Sequence, residues 1–279
     1  MTLLLQQSVY QTPDGANLNW AESESVALDT AALPVFVLLH PMPVDHRFWI
    51  PLVERINKPY RFLLPDLRGH GASTLGTAEM TISRMAEDVI EWLDSLGVKK
   101  AIFGGCSIGG YVLFEIWRQR PDLVSALAFL CSKPQPDTEE NRQHRMEIVA
   151  KVRTGGASFV EEALDGMAHS LVGETSRTQD PDITALVRNM MSFTPEELIA
   201  VLTAIAYRAD SVLLLPGITV PVLAVAGGED STIPPDEVHL IGEKVPNAEF
   251  HLVEKAGHYA PFEVPDVVAG LVNGWLNFD

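Results

Sequence analysis

Two hydrophobic patterns alternate along this chain. Pro34–Leu39, Tyr60–Pro65, Val124–Cys131 and Pro221–Ala226 are short, nearly continuous apolar runs. Such runs mark strands buried on both faces of a sheet. Residues 100–104 and Glu249–Val253 read as strands of the same set. Between the runs the period changes. Residues 81–97 place Ile82, Met85, Val89, Trp92, Leu93 and Leu96 at helical spacing, with Gly97 as the stop. A helix-compatible stretch runs from Ser107 to about Gln119 and ends before Pro121. A last helix is expected from about Pro261 to Leu276. The first 30 residues predict two short strands joined by a turn at Pro13-Asp14-Gly15.

Strand and helix in alternation predict an α/β domain, with a mostly parallel sheet and helices on both faces. The alternation breaks from about Pro134 to Leu215, where only amphipathic helical patterns occur. Asp180-Pro181 and Thr194-Pro195-Glu196-Glu197 read as helix starts, each a capping residue followed by proline at the first helical position. The expected organisation is a core of residues 1–133 and 216–279 with a helical lid, residues 134–215, at the strand C-terminal edge. That edge is where open α/β sheets bind ligands. In the lid, Met167, Met190, Met191, Phe193 and Tyr207 either line an apolar acyl site or form helix-to-helix core.

Composition narrows the partners. The 279 residues are 47% hydrophobic and carry a formal charge of −17. Such a surface repels nucleic acid and anionic membranes. The two cysteines, Cys106 and Cys131, sit in apolar strand-like surroundings, so no disulfide framework is expected. The opening Met-Thr-Leu-Leu-Leu-Gln-Gln lacks a basic region and a signal-length apolar run, and no apolar stretch is long enough for a membrane span. A soluble cytoplasmic protein is the expectation. No His-Glu-x-x-His or Cys-x-x-Cys occurs, and the glycines of 104–110 match no dinucleotide or triphosphate loop. No metal or cofactor is therefore expected. Nothing in the sequence speaks to oligomeric state.

The chemistry converges on Ser107. It centres Gly105-Cys106-Ser107-Ile108-Gly109, between a strand and a helix. A serine on such a turn is pushed out of the local packing, and glycine neighbours let the turn close. Serine needs a base in reach, and the base needs an orienting carboxylate. Asp230 follows strand 221–226, with Glu229 beside it as a rival one place early; His258 follows strand 249–253. Cys106 reads as packing. Asp45-His46-Arg47 reads as a helix start, and Asp66, Arg68 and His70 as a fold-shaping turn.

The ordered set His40-Pro41-Met42-Pro43, Asp66-Leu67-Arg68-Gly69-His70-Gly71-Ala72-Ser73, Gly105-Cys106-Ser107-Ile108-Gly109, Gly228-Glu229-Asp230 and Gly257-His258 resembles the α/β-hydrolase superfamily, over nearly the whole chain. The pattern is closest to its small serine esterases, enol-lactonases and cofactor-free haloperoxidase-like members. The resemblance implies a catalytic triad of Ser107, Asp230 and His258, and an oxyanion hole from the backbone N–H groups of Ile108 and Met42. His40 would brace the oxyanion loop. Pro41 departs from the family, which usually has glycine there, and stiffens the loop. The implied function is a serine hydrolase cleaving a small carboxylic ester or lactone through an acyl-enzyme on Ser107. The same triad also serves C–C bond hydrolysis, acyl transfer, perhydrolysis or biosynthetic cyclisation. The fold also supports ligand-binding receptors and pseudoenzymes.

Overall fold

A computed structural model describes residues 5–23 and 33–277. The first four residues and the tail of the expected N-terminal strand pair lie outside the described residues. Eight strands form one sheet: β1 (Leu5–Gln11), β2 (Asn17–Ser23), β3 (Val35–Leu39), β4 (Arg61–Pro65), β5 (Ala101–Cys106), β6 (Val124–Leu130), β7 (Val222–Gly227) and β8 (Ala248–Val253). Their spatial order is β1-β2-β4-β3-β5-β6-β7-β8. β1 and β2 join antiparallel, β2 meets β4 antiparallel, and the remaining neighbours are parallel. Strands β5 and β7 are buried along their whole length, which for β7 is why it reads as an unbroken apolar run.

Among the described residues ten α-helices complete the core and its excursion. These are α1 (Ile50–Val53), α2 (Ile82–Ser95), α3 (Ile108–Gln119), α4 (Glu139–Ser170), α5 (Glu174–Gln179), α6 (Ile183–Arg188), α7 (Pro195–Ala206), α8 (Pro235–Lys244), α9 (Ala260–Glu263) and α10 (Pro265–Trp275). α2 packs with α3, and α1 with α10. α2 buries Met85, Ala86, Val89, Trp92 and Leu93 along one stripe. Each such large side chain contributes about 1.5–3 kcal/mol on burial. Thr81 caps α2 through its hydroxyl.

Between β6 and β7 the chain forms α4 to α7 and no strand. Its ends are tied together: Ser211 N–H donates to Pro134 C=O at 3.0 Å. Arg208 Nη2 donates to Gln135 C=O at 2.9 Å. α7 opens at the expected start, with a capping box formed by Thr194 and Glu197. The other expected start moves. Asp180 takes the Asp182 N–H on its own carboxylate, a local turn, and the helix begins only at Ile183. The expected single helix from Pro261 is two helices, because Pro265 drives Val264 out of the helical region (φ −133°, ψ 60°). Asp45 caps a 3-10 turn, His46–Trp49, through the Arg47 N–H. No helix among the described residues is long and apolar enough to cross a membrane.

Candidate active site

Ser107, Asp230 and His258 follow β5, β7 and β8, all at the C-terminal edge of one parallel array. Ser107 stands at φ 51°, ψ −117°, between strand and helix. The motif glycines are there for space. A Cβ on Gly105 would come within 2.5 Å of the Gly109 carbonyl carbon, and one on Gly109 would overlap the Leu39 carbonyl oxygen. The turn is pinned from both sides. Ser107 N–H donates to Leu130 C=O at 3.1 Å, and Ser132 Oγ donates to Ser107 C=O at 2.8 Å.

His258 Nδ1 lies 2.7 Å from Asp230 Oδ2, with both side chains buried. The second carboxylate oxygen of Asp230 accepts the N–H groups of Thr232 and Ile233 at 2.8 and 2.9 Å. The carboxylate is therefore fixed by its own loop before it meets the imidazole. Glu229 points elsewhere: it accepts the Thr175 N–H at 2.8 Å and the Thr175 hydroxyl. Geometry thus separates the two adjacent acids.

Ser107, His258 and Met42 line one cavity of about 430 Å³, within the usual size of a small-molecule site. A larger cavity of about 600 Å³ between Met80 and Tyr207 holds none of the three. Ile108 opens α3 directly after Ser107. The Met42 loop follows β3, whose last residue Leu39 pairs with Gly105 of β5, so the loop and the serine turn are neighbours. His40 is buried; Leu67 N–H donates to its Nε2 at 2.9 Å and its Nδ1 donates to Pro41 C=O at 3.0 Å. Tyr259 Oη donates to Met42 C=O at 2.8 Å.

The other singled-out residues have structural employment. Asp66 takes His46 Nδ1 and N–H at 2.8 Å each and Asn19 Nδ2 at 2.8 Å. Burial opposes its charge, yet these partners hold its carboxyl well below the usual range. Arg68 is fully buried between Asp88 and Asp14. Among the described residues the single group with metal-ligating closeness is Asp45, His46 and Asp66; His46 Nδ1 is spent on Asp66 and Asp45 on Arg47. Cys106 is buried, with its thiol beside the His258 carbonyl. Of the side chains singled out within residues 134–215, Met167 lines the cavity. Met190, Met191 and Phe193 are core, and Tyr207 is 63% exposed.

A sequence model described as the alpha/beta hydrolase fold matches residues 34–265. The chain belongs to the α/β-hydrolase family. A thermophilic esterase from Thermogutta terrifontis superposes with a TM-score of 0.84 at 29% identity, covering 99% of this chain and 98% of that one. A pimeloyl-[acyl-carrier protein] methyl ester esterase of Yersinia pseudotuberculosis is 27% identical over 87% of this chain and 92% of its own length. A 3-oxoadipate enol-lactonase of Acinetobacter baylyi is 22% identical over 87% and 88%.

Within this α/β-hydrolase chain, one site residue escapes sequence reasoning. The Glu263 carboxylate accepts N–H groups from both neighbours of His258: Gly257 at 2.9 Å and Tyr259 at 3.0 Å. It also accepts Gly173 N–H at 2.9 Å and Ser176 Oγ at 2.7 Å, from the start of α5. His258 N–H itself donates to Leu171 C=O at 3.0 Å. Segment 171–176 is thus latched to the histidine loop by Glu263 and to the aspartate loop by Glu229. The only signal for this in the sequence is a glutamate five places after His258, which without a fold looks like any helix-terminal acid.

Proposed function

We propose that the protein is a serine hydrolase that cleaves small carboxylic esters or lactones through an acyl-enzyme on Ser107. The observation that carries this reading is the 2.7 Å contact of His258 Nδ1 with a buried, backbone-anchored Asp230, on a histidine that shares its cavity with Ser107. With Nδ1–H donated to Asp230, Nε2 is the basic nitrogen. Ser107 Oγ adds to the substrate carbonyl while Nε2 takes its proton. Asp230 stabilises the resulting imidazolium. The tetrahedral oxyanion is met by the N–H of Ile108, at the positive end of α3, and by the N–H of Met42. Both peptide units flanking Met42 are held, by His40 on the Pro41 carbonyl and Tyr259 on the Met42 carbonyl. That anchoring suits Pro41 to an oxyanion loop. Collapse expels the alkoxide, which takes the proton from His258. Water, deprotonated by His258, then attacks the acyl-enzyme and frees Ser107.

The helices of residues 134–215 act as the lid. Met167 of α4 with Leu202 and Ile205 of α7 line the cavity beside Ser107 and exclude water from the reacting carbonyl. Turnover of p-nitrophenyl acetate and labelling by a fluorophosphonate test the reading. Wild type should do both, and Ser107→Ala should lose roughly 10⁴-fold or more in kcat and all labelling. A wild-type protein that neither turns over the ester nor takes the label would overturn it.

A further inference from the structure

We propose that the substrate carries a carboxylate remote from the scissile carbonyl, and that Arg145 of the lid binds it; this rests on the serine-hydrolase reading. Asn141, His144, Arg145 and Ile148 recur at helical spacing, share one face of α4 and all line the Ser107 cavity. The lining is divided in character. Met167, Leu171, Leu202, Ile205 and Ile148 are apolar, whereas Asn141, His144 and Arg145 of α4, with Lys133 and Asp137, make the polar part.

The ion pairs in this wall do not balance. Asp137 Oδ2 takes Arg145 Nε at 2.6 Å, and Asp137 Oδ1 takes Arg208 Nη1 at 2.5 Å. Lys133 Nζ pairs with Glu237 at 2.7 Å. With Arg208 and Glu237, which lie outside the cavity lining, three cations meet two carboxylates, in a chain whose net charge is −17. Arg145 is the surplus. The buried Arg208 already neutralises Asp137, with side-chain exposures of 3% and 2%, whereas the Arg145 side chain is 26% exposed. Among the described residues Arg145 bonds through Nε alone, so both terminal Nη groups remain for a ligand. A planar guanidinium with two parallel donors matches a carboxylate. An ester with an apolar chain and a terminal carboxylate satisfies both parts of the wall: half-esters of dicarboxylic acids, or lactones with a pendant acid.

Binding is measured on the full-length Ser107→Ala chain by calorimetry. The ligands are monomethyl esters of succinic through suberic acid, each against the uncharged half-amide of the same acid. The expected result is that the best-fitting acid binds about tenfold or more tighter than its amide. Adding Arg145→Gln should bring that ratio to near one, and Arg145→Lys should retain part of it. Both ligands are read on one variant, so a folding defect weakens both and leaves the ratio. Equal binding of every acid and its amide, or a ratio indifferent to Arg145→Gln, overturns the subsite. If the ratio behaves as expected but wild type fails to hydrolyse any of the esters or to take the phosphonate label, the hydrolase reading fails and the carboxylate subsite stands.

Discussion

At the scale of single residues, the serine turn shows why this site is expensive to build. Ser107 holds φ 51°, a region that favours glycine. Such backbone strain costs roughly 1–3 kcal/mol and persists where the surroundings over-determine it. Here they do, through the Leu130 carbonyl, the Ser132 hydroxyl and the crowding of Gly105 and Gly109. Ser107→Gly should therefore be more stable than Ser107→Ala by about 1 kcal/mol, with both inactive. Urea denaturation of the pair checks this; equal midpoints and slopes would remove strain from the account of the turn. The same scale separates Asp230 from Glu229. One residue of displacement along a loop turns the first carboxylate to His258 and the second to Thr175.

At the scale of elements, residues 134–215 are tied to the loops that carry Asp230 and His258 through a short connection. Segment 171–176, the link after α4 and the first turn of α5, meets the loops of both Asp230 and His258. Glu263 is its principal anchor, a positioning residue that holds the amides on either side of His258. Glu263→Gln replaces one acceptor oxygen with a donor that faces N–H groups. It should lower stability by about 1–3 kcal/mol. It should also reduce kcat by up to roughly 100-fold, because a small misplacement of the base has that effect. Phosphonate labelling should slow with kcat, since the imidazole would be misaimed while Ser107 is intact. Thermal or urea unfolding with kcat and labelling rates measures this. Lower stability with unchanged kcat and labelling would make Glu263 a fold residue only.

At the scale of the molecule, buried histidines set the response to acid. Burial pushes His70 down to about 3, and the neighbouring His40 adds to this; His40 is likewise lowered by its own burial. The unfolded chain protonates near 6.5, the folded chain lower, so between these values unfolding takes up protons and stability falls as pH drops. Each histidine contributes a slope of up to about 1.4 kcal/mol per pH unit. His46 works in the other direction. Burial opposes its charge, but Asp66 more than offsets this and raises it, so its contribution is present at low pH and lost as pH rises. The net expectation is falling stability from about pH 6 to 4, with a shallower fall in His70→Gln. Denaturant midpoints across that range decide it, and parallel slopes for both proteins would refute the assignment.

How far the site could be read in advance follows from which interactions are local. β3 to β7 and α2 announced themselves because a strand buried on both faces must be apolar throughout and a half-buried helix must repeat at its own period. The serine turn was legible because glycine beside serine between strand and helix is a local steric requirement. The Ser107, Asp230, His258 order was legible because parallel strands deliver their C-terminal loops to one edge. The break at Val264, the start at Ile183 and the burial of Met190, Met191 and Phe193 were not, since competition between proline sterics, turn hydrogen bonds and packing selects them. Nor were the Glu263 latch or the surplus cation at Arg145. Each is a sum over groups far apart in the chain, and charge balance or acceptor sharing exists only once the fold has brought those groups within a few ångströms.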